Sequence, residues 1–124
     1  MSYRNEDGGL YKLFKENLKG ALISKIETGT TAPGFPDCII VVIAVIVALE
    51  FKKWPPKLRP LQIAWFSKCH ALGAPAFIVV RRKDEILFYS AGQARDLTTK
   101  TVPIASFQRP WDWKAILAVI VGAS

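Results

Sequence analysis

The feature that most constrains this 124-residue chain is an apolar run from Cys38 to Leu49 that is bounded by charged residues. Ile and Val predominate in the run, and such β-branched stretches favour strands that are buried on both faces. The run is too long for one ordinary strand, so we expect a hairpin that turns near Ile43 to Val45, although no Gly, Asn or Asp marks the turn. It is also shorter than the roughly 20 residues that a bilayer span needs. The sequence therefore predicts a buried hairpin rather than a membrane helix.

Charged residues stand at both ends of this predicted hairpin. Asp37 precedes its first strand, and Glu50 and Lys52 close its second strand. Because paired strand ends lie side by side and side chains alternate between faces, we expect these three side chains to converge, with Phe51 on the opposite face. Two carboxylates at one point suit Mg²⁺, and a lysine beside the ion can hold or deprotonate an attacking water and offset phosphate charge. The pattern predicts a site for phosphodiester hydrolysis.

Two other interpretations of this pattern stay open. Glu50 and Lys52, two residues apart on a strand, are also typical of an ordinary solvated face. Alternatively, Asp37, Glu50 and Lys52 form a buried structural ion-pair cluster in a non-catalytic DNA-binding module. Charge at the ends of an apolar run is costly unless it is paired or coordinated, which favours a functional role.

Patterns in the rest of the chain predict the α/β class, with a small mixed β-sheet flanked by helices. Apolar spacing and turn residues indicate the order helix, two strands, helix, two strands, helix. The spacing in the second helix places Leu61 and Leu72 on its buried face. The length suits a single domain over residues 1–124. Outside the central hairpin, the predicted elements are helices over 10–22, 60–73 and 111–121 and strands over 76–80 and 86–90.

The net charge of +7 favours an anionic partner, and nucleic acid is the leading class. Basic residues are concentrated between Glu50 and Lys83, a segment in which Glu50 is the only acid. Among them, Lys53, Lys57 and Arg59 lie just beyond the predicted site, where we expect them to contact the DNA backbone. The alternative is that these three residues are ordinary solvated surface charges. The eight basic residues are Lys52, Lys53, Lys57, Arg59, Lys68, Arg81, Arg82 and Lys83.

Several function classes lack the residues that they require. His70 is the only histidine, which excludes a Ser-His-Asp or Cys-His apparatus and a histidine-rich zinc site. No P-loop or G-x-G-x-x-G motif occurs, so no nucleotide cofactor is expected. Cys38 and Cys69 have no C-x-x-C spacing, and the first residues do not resemble a secretory signal, so we expect free thiols and a cytoplasmic protein. A peripheral membrane protein that uses its basic charge and apolar tail is a weaker alternative.

Three motifs resemble those of the PD-(D/E)xK nuclease superfamily, most closely its virus-type replication-repair (VRR-NUC) branch. They are Gly34-Phe-Pro-Asp37, Glu50-Phe-Lys52 and Leu58-Arg-Pro-Leu-Gln62, within a resemblance that runs from about Asn5 to about Arg81. The resemblance implies a restriction-endonuclease-like core that hydrolyses phosphodiester bonds in DNA.

The resemblance also assigns roles to individual residues. Asp37 and Glu50 bind Mg²⁺ or Mn²⁺, and we expect the backbone carbonyl of Phe51 to complete the metal ligands. Lys52 assists the nucleophile, and Gln62 supports the site by orienting Lys52 or the water. The resemblance further implies a carboxylate on the first helix. Glu6 is preferred for this role because it precedes Leu10, Leu13 and Asn17 on one helical face, whereas Glu16 faces away from the apolar stripe.

Stand-alone members of the resembling branch are commonly phage-encoded homodimers that act on branched DNA, including four-way (Holliday) junctions. A phage protein in the host cytoplasm is therefore one implied origin. So short a chain has little surface for reading sequence, which favours recognition of DNA shape. A two-fold dimer matches a junction with two symmetric strands to cut. The apolar stretch 115–121 is a candidate dimer surface.

Overall fold

The computed structural model describes residues 7–26 and 34–122, which form a mixed β-sheet flanked by helices. Six strands are hydrogen-bonded in the order β1-β2-β3-β4-β5-β6, and every neighbouring pair is antiparallel except β3 and β4. The α/β class and the flanked mixed sheet predicted from the sequence are confirmed. The strands are β1 (Leu22–Lys25), β2 (Cys38–Val42), β3 (Val45–Lys53), β4 (Ala76–Arg82), β5 (Glu85–Ser90) and β6 (Ala105–Gln108). The helices are α1 (Leu10–Asn17), α2 (Pro60–Leu72), α3 (Trp113–Val121) and a short 3₁₀ helix (Ala91–Gln93).

Helices cover both faces of the sheet, and each face has its own apolar cluster. On one face, Phe14 of α1 and Ile116 of α3 pack with Phe51 and other strand residues. On the other face, Phe66 of α2 packs with Val80 and its neighbours. Helix α2 connects the parallel strands β3 and β4, and it lies over the face that carries the even-numbered residues of β3, since Gln62 of α2 bonds to Glu50. None of the helices in the described parts of the chain combines the length and the apolar character that a bilayer crossing needs.

The central hairpin forms where it was predicted. Strands β2 and β3 pair from Cys38 with Leu49 to Val42 with Val45, and Ile43 and Ala44 alone make the turn. Both turn residues have positive φ, 43° and 64°, a conformation that such two-residue turns need and that normally favours Gly or Asn. Ile43 is a β-branched residue in this strained region and is 82% exposed. The pairing of the buried strands, rather than turn chemistry, therefore sets the register.

Three predictions about the elements were wrong. The first helix ends at Asn17, because Gly20 has a φ of +79° and the chain then turns to enter β1 at Leu22. Strands β1 and β6 were not predicted, since both are short edge strands that bury little, and the order is therefore helix, three strands, helix, three strands, helix.

The third error concerns the buried face of α2. Leu61 and Leu72 are exposed, whereas Gln62 and Phe66 are buried. This helix is apolar over most of its circumference, so spacing does not define one stripe. The polar Gln62 takes the inner face because it has a hydrogen-bond partner there.

Candidate active site

The hairpin brings Asp37 beside the end of β3. Asp37 directly precedes Cys38, which pairs with Leu49, so the pairing places Asp37 next to Glu50. Its Oδ2 accepts a hydrogen bond of 2.9 Å from the backbone N–H of Phe51. The two charged ends of the apolar run therefore meet, as the sequence predicts.

Glu50 lies in the interior and is only 2% exposed. Its Oε2 accepts a hydrogen bond of 2.9 Å from Gln62 Nε2 and lies 3.5 Å from Lys52 Nζ. Its Oε1 is buried and has no hydrogen-bond partner among the described residues. A buried carboxylate oxygen without a partner is costly, so this atom marks a position for a bound ligand.

Gln62 fixes the orientation of Glu50 from the start of α2. Its Oε1 accepts a hydrogen bond of 2.9 Å from the N–H of Arg59, which orients its amide nitrogen toward Glu50. The side chain is 1% exposed and has little freedom. Gln62 therefore contacts the carboxylate of Glu50, whereas its predicted role was to orient Lys52 or a water.

Both carboxyl groups lie where negative charge is disfavoured. Burial raises the pKa of Glu50 to about 8, with a further contribution from the negative charge of Asp37, and Lys52 offsets only part of this. Burial also raises the pKa of Asp37, against the lowering effects of the Phe51 N–H and of Lys52. A cation at this point would stabilise both charged forms.

The backbone of β3 supplies a third oxygen on the same side. The N–H groups of Ala48 and Trp54 donate to β4 and the residue before it, so even-numbered residues of β3 direct their backbone groups toward β4. Phe51 directs its N–H toward Asp37, and in a strand the carbonyl of the same residue points to the same side. Two carboxylates and a carbonyl are hard oxygen donors, and they fit a small divalent cation such as Mg²⁺ or Mn²⁺.

Side-chain alternation along β3 is as predicted. Glu50 and Lys52 share the face under α2, and the Lys52 side chain is 13% exposed. Phe51 points to the opposite face, where its ring centroid lies 4.9 Å from that of Phe14. Lys52 therefore reaches from the buried carboxylate toward solvent, where it can meet a phosphate or a water.

Two residues, Glu6 and Glu16, were considered for a carboxylate on the first helix. Glu6 lies outside the described residues, and Glu16 is exposed. The structure brings a further carboxylate, Asp7, near the site, where its negative charge contributes to raising the pKa of Asp37. Asp7 accepts hydrogen bonds from the N–H groups of Gly9 and Tyr11, at 2.9 and 3.1 Å. The sequence signal for Asp7 was an Asp that directly precedes two glycines and the start of a helix.

Asp7 does not complete a three-carboxylate cluster. Within residues 7–26 and 34–122, no group of three His, Cys, Asp or Glu side chains is arranged to hold a metal ion. The loop that carries Asp7 is nevertheless held closely, because a Cβ at Gly8 would meet Cβ atoms of Lys53 and Arg81 at 3.2 Å. The site therefore comprises two adjacent carboxylates, with Asp7 as a neighbouring charge.

The predicted phosphate-binding residues follow the site directly. Lys53 ends β3, and Lys57 and Arg59 lie in the connection to α2. All three are exposed. Arg59 lies close to the carboxylates, because its N–H bonds to Gln62, which contacts Glu50, and its positive charge acts to lower the pKa of Glu50.

Comparisons with known proteins show a similarity of fold to solved structures. No protein-family model matches the chain, and no curated protein sequence is significantly similar to it. Among solved structures, it is similar to Hjc, a Holliday junction resolvase from the archaeal hyperthermophile Archaeoglobus fulgidus. The two chains are 18% identical, with a TM-score of 0.48 over 64% of this chain and 71% of Hjc.

Proposed function

We propose that this protein is a Mg²⁺- or Mn²⁺-dependent DNA endonuclease of the PD-(D/E)xK superfamily, related to the VRR-NUC branch. The observation that supports this most directly is the buried, unpartnered Oε1 of Glu50 beside the second carboxylate, Asp37. In a purely structural ion-pair cluster, both oxygens of a buried carboxylate are normally paired. We propose that residues 1–124 form one nuclease domain that acts in the cytoplasm.

The residues have distinct roles in the proposed reaction. Asp37, Glu50 and the carbonyl of Phe51 hold the metal, which when bound supplies Lewis-acid activation of water and neutralises phosphate charge. Lys52 holds the attacking water or a phosphate oxygen near the carboxylates and offsets the negative charge that develops. Gln62 keeps the carboxylate of Glu50 in one orientation.

We further propose that the substrate is branched DNA, with four-way junctions as the leading candidate. Lys53, Lys57 and Arg59 contact the DNA backbone, which confers affinity without sequence preference. A homodimer would place two such sites on the two symmetric strands of a junction. In α3, Ile116 and Ile120 pack inward and Ala118 is exposed, so this helix offers only a narrow apolar strip to a partner.

The test is incubation with labelled duplex, flap and four-way-junction DNA, with Mg²⁺ or with EDTA. The expected result is paired nicks in the junction that require Mg²⁺ and are lost in Asp37→Asn. The exposed Glu16→Gln is the matched control and should cleave normally. Binding of junction DNA without metal-dependent cleavage would instead support the non-catalytic binding module.

A further inference from the structure

The end of the β4–β5 hairpin lies at the same end of the sheet as the candidate active site. Lys83 and Asp84 form its turn, and Lys83 is exposed with a φ of +55°. Lys52 pairs with Val80 across the parallel strands, and Lys83 lies three residues further along. At about 3.3 Å per residue, the turn is roughly 10 Å beyond Lys52 along the strand.

Arg82 is presented on the same face as Lys52. Val80 is the register partner of Lys52, and alternation along β4 returns Arg82 to that face. The Arg82 guanidinium lies 4.5 Å from the ring centroid of Trp54, and Nη2 lies 2.8 Å from Glu85 Oε1. Trp54 itself packs against the apolar cluster under α2. Arg82 is therefore held in place beside the site, and Trp54 serves as its support.

The turn is braced from the other side. The carbonyl of Asp84 accepts hydrogen bonds of 2.9 Å from the N–H of Arg109 and from Trp111 Nε1. Arg81 Nε donates to the carbonyl of Lys83 at 3.1 Å. In contrast, the ammonium of Lys83 has no hydrogen-bond or ion-pair partner within residues 7–26 and 34–122. Because the backbone of the turn is already ordered, only the side chain of Lys83 loses conformational entropy when it binds an anion.

The charge at this hairpin end favours a polyanion. Four cations are opposed by two carboxylates, and both carboxylates are already paired with arginines. A turn roughly 10 Å beyond Lys52 is within reach of backbone phosphates that neighbour the scissile one. The four cations are Arg81, Arg82, Lys83 and Arg109, and the two carboxylates are Asp84 and Glu85.

We propose that Arg82 and Lys83 form a second DNA-contacting arm, which binds backbone phosphates beyond Lys52 at the carboxyl end of β4. This inference rests on the proposed function, because it assumes that DNA lies over the face of Lys52. The arm positions the strand and does not read bases. Glu85 competes with the phosphate for Arg82 and so limits the affinity.

The test measures binding of a labelled four-way junction in EDTA over a range of salt concentrations. Lys83→Ala should weaken binding about 3- to 10-fold. It should also reduce by about one the magnitude of the slope of the logarithm of the association constant against the logarithm of the salt concentration. Lys100→Ala is the matched control, because Lys100 is an exposed lysine in the loop beyond the other end of β5, and it should bind as the wild type does. Glu85→Gln should strengthen binding at least 2-fold, whereas Asp96→Asn in that same distant loop should not.

Cleavage of the junction by the wild type in Mg²⁺ is measured in parallel, which separates the two proposals. If the wild type cleaves but Lys83→Ala binds like Lys100→Ala, the second arm is wrong and the nuclease assignment stands. If the wild type does not cleave but Lys83→Ala still loses affinity and salt slope, the arm is supported and the nuclease assignment fails. Circular dichroism melting of each variant establishes that it is folded.

Discussion

Replacing Glu50 by Gln should abolish cleavage and, in the absence of metal, stabilise the protein. Glu50 is 2% exposed, its Oε1 has no partner in the described chain, and its pKa is raised to about 8 from an ordinary value of 4.5. Gln has the same shape and no charge. Its Oε1 can still accept the hydrogen bond from Gln62, and its new amide group lies beside Asp37, where a donor is favourable.

The sign and size of the effect follow from proton linkage. The folded protein holds the Glu50 proton more tightly than the unfolded chain does, so stability falls as pH rises from about 4.5 to about 8. A shift of this size corresponds to at most about 5 kcal/mol at pH 8. Because the variant also loses the ion pair with Lys52, we expect Glu50→Gln to be about 2 kcal/mol more stable than the wild type at pH 8 in EDTA. That gain corresponds to roughly 8 °C in Tm for a chain of this length.

The assay is urea unfolding in EDTA at pH 5 and at pH 8. The difference between the wild type and Glu50→Gln should be large at pH 8 and small at pH 5, while Glu16→Gln should follow the wild type at both. Mg²⁺ at ten times its Kd should stabilise the wild type by about 1.4 kcal/mol and leave Glu50→Gln unchanged. A Glu50→Gln variant that is less stable than the wild type at pH 8 would refute the claim that the buried Glu50 carboxylate destabilises the metal-free protein.

Three further predictions test other residues. Lys52→Ala should lower the single-turnover cleavage rate about 100-fold with little change in junction affinity, because Lys52 acts on the reacting groups; lost affinity with an unchanged rate would reassign it to DNA binding. Gln62→Ala should lower the free energy of unfolding by about 1–3 kcal/mol, measured in urea, because it leaves Glu50 and the Arg59 N–H without their partner; an unchanged stability would contradict this. Cys38, which is fully buried and whose pKa is raised to about 12 chiefly by burial, should react with a thiol reagent only on unfolding, whereas the partly exposed Cys69 should react in the native protein, as followed by mass spectrometry.

The sequence by itself determined the centre of the site. An apolar run with charges only at its ends has few ways to fold, because burying Ile and Val on both faces of a hairpin leaves the charged residues together at one end. Side-chain alternation then fixes Glu50 and Lys52 on one face and Phe51 on the other, since this period is a local property of any strand. The position of Asp37 beside Glu50 then follows from the register of the hairpin.

Tertiary packing decided what lies around that centre. Gln62 turns inward because Glu50 lies beneath α2, a relation between distant residues that the apolar spacing of the helix does not contain. Asp7 comes near Asp37 because Gly8 allows its loop to approach β3 and β4 closely. The edge strands β1 and β6 exist because a neighbouring strand supplies their hydrogen bonds, although their own residues bury little. These features depend on contacts between segments far apart in the chain, whereas the charged hairpin end depends on residues that are close in sequence.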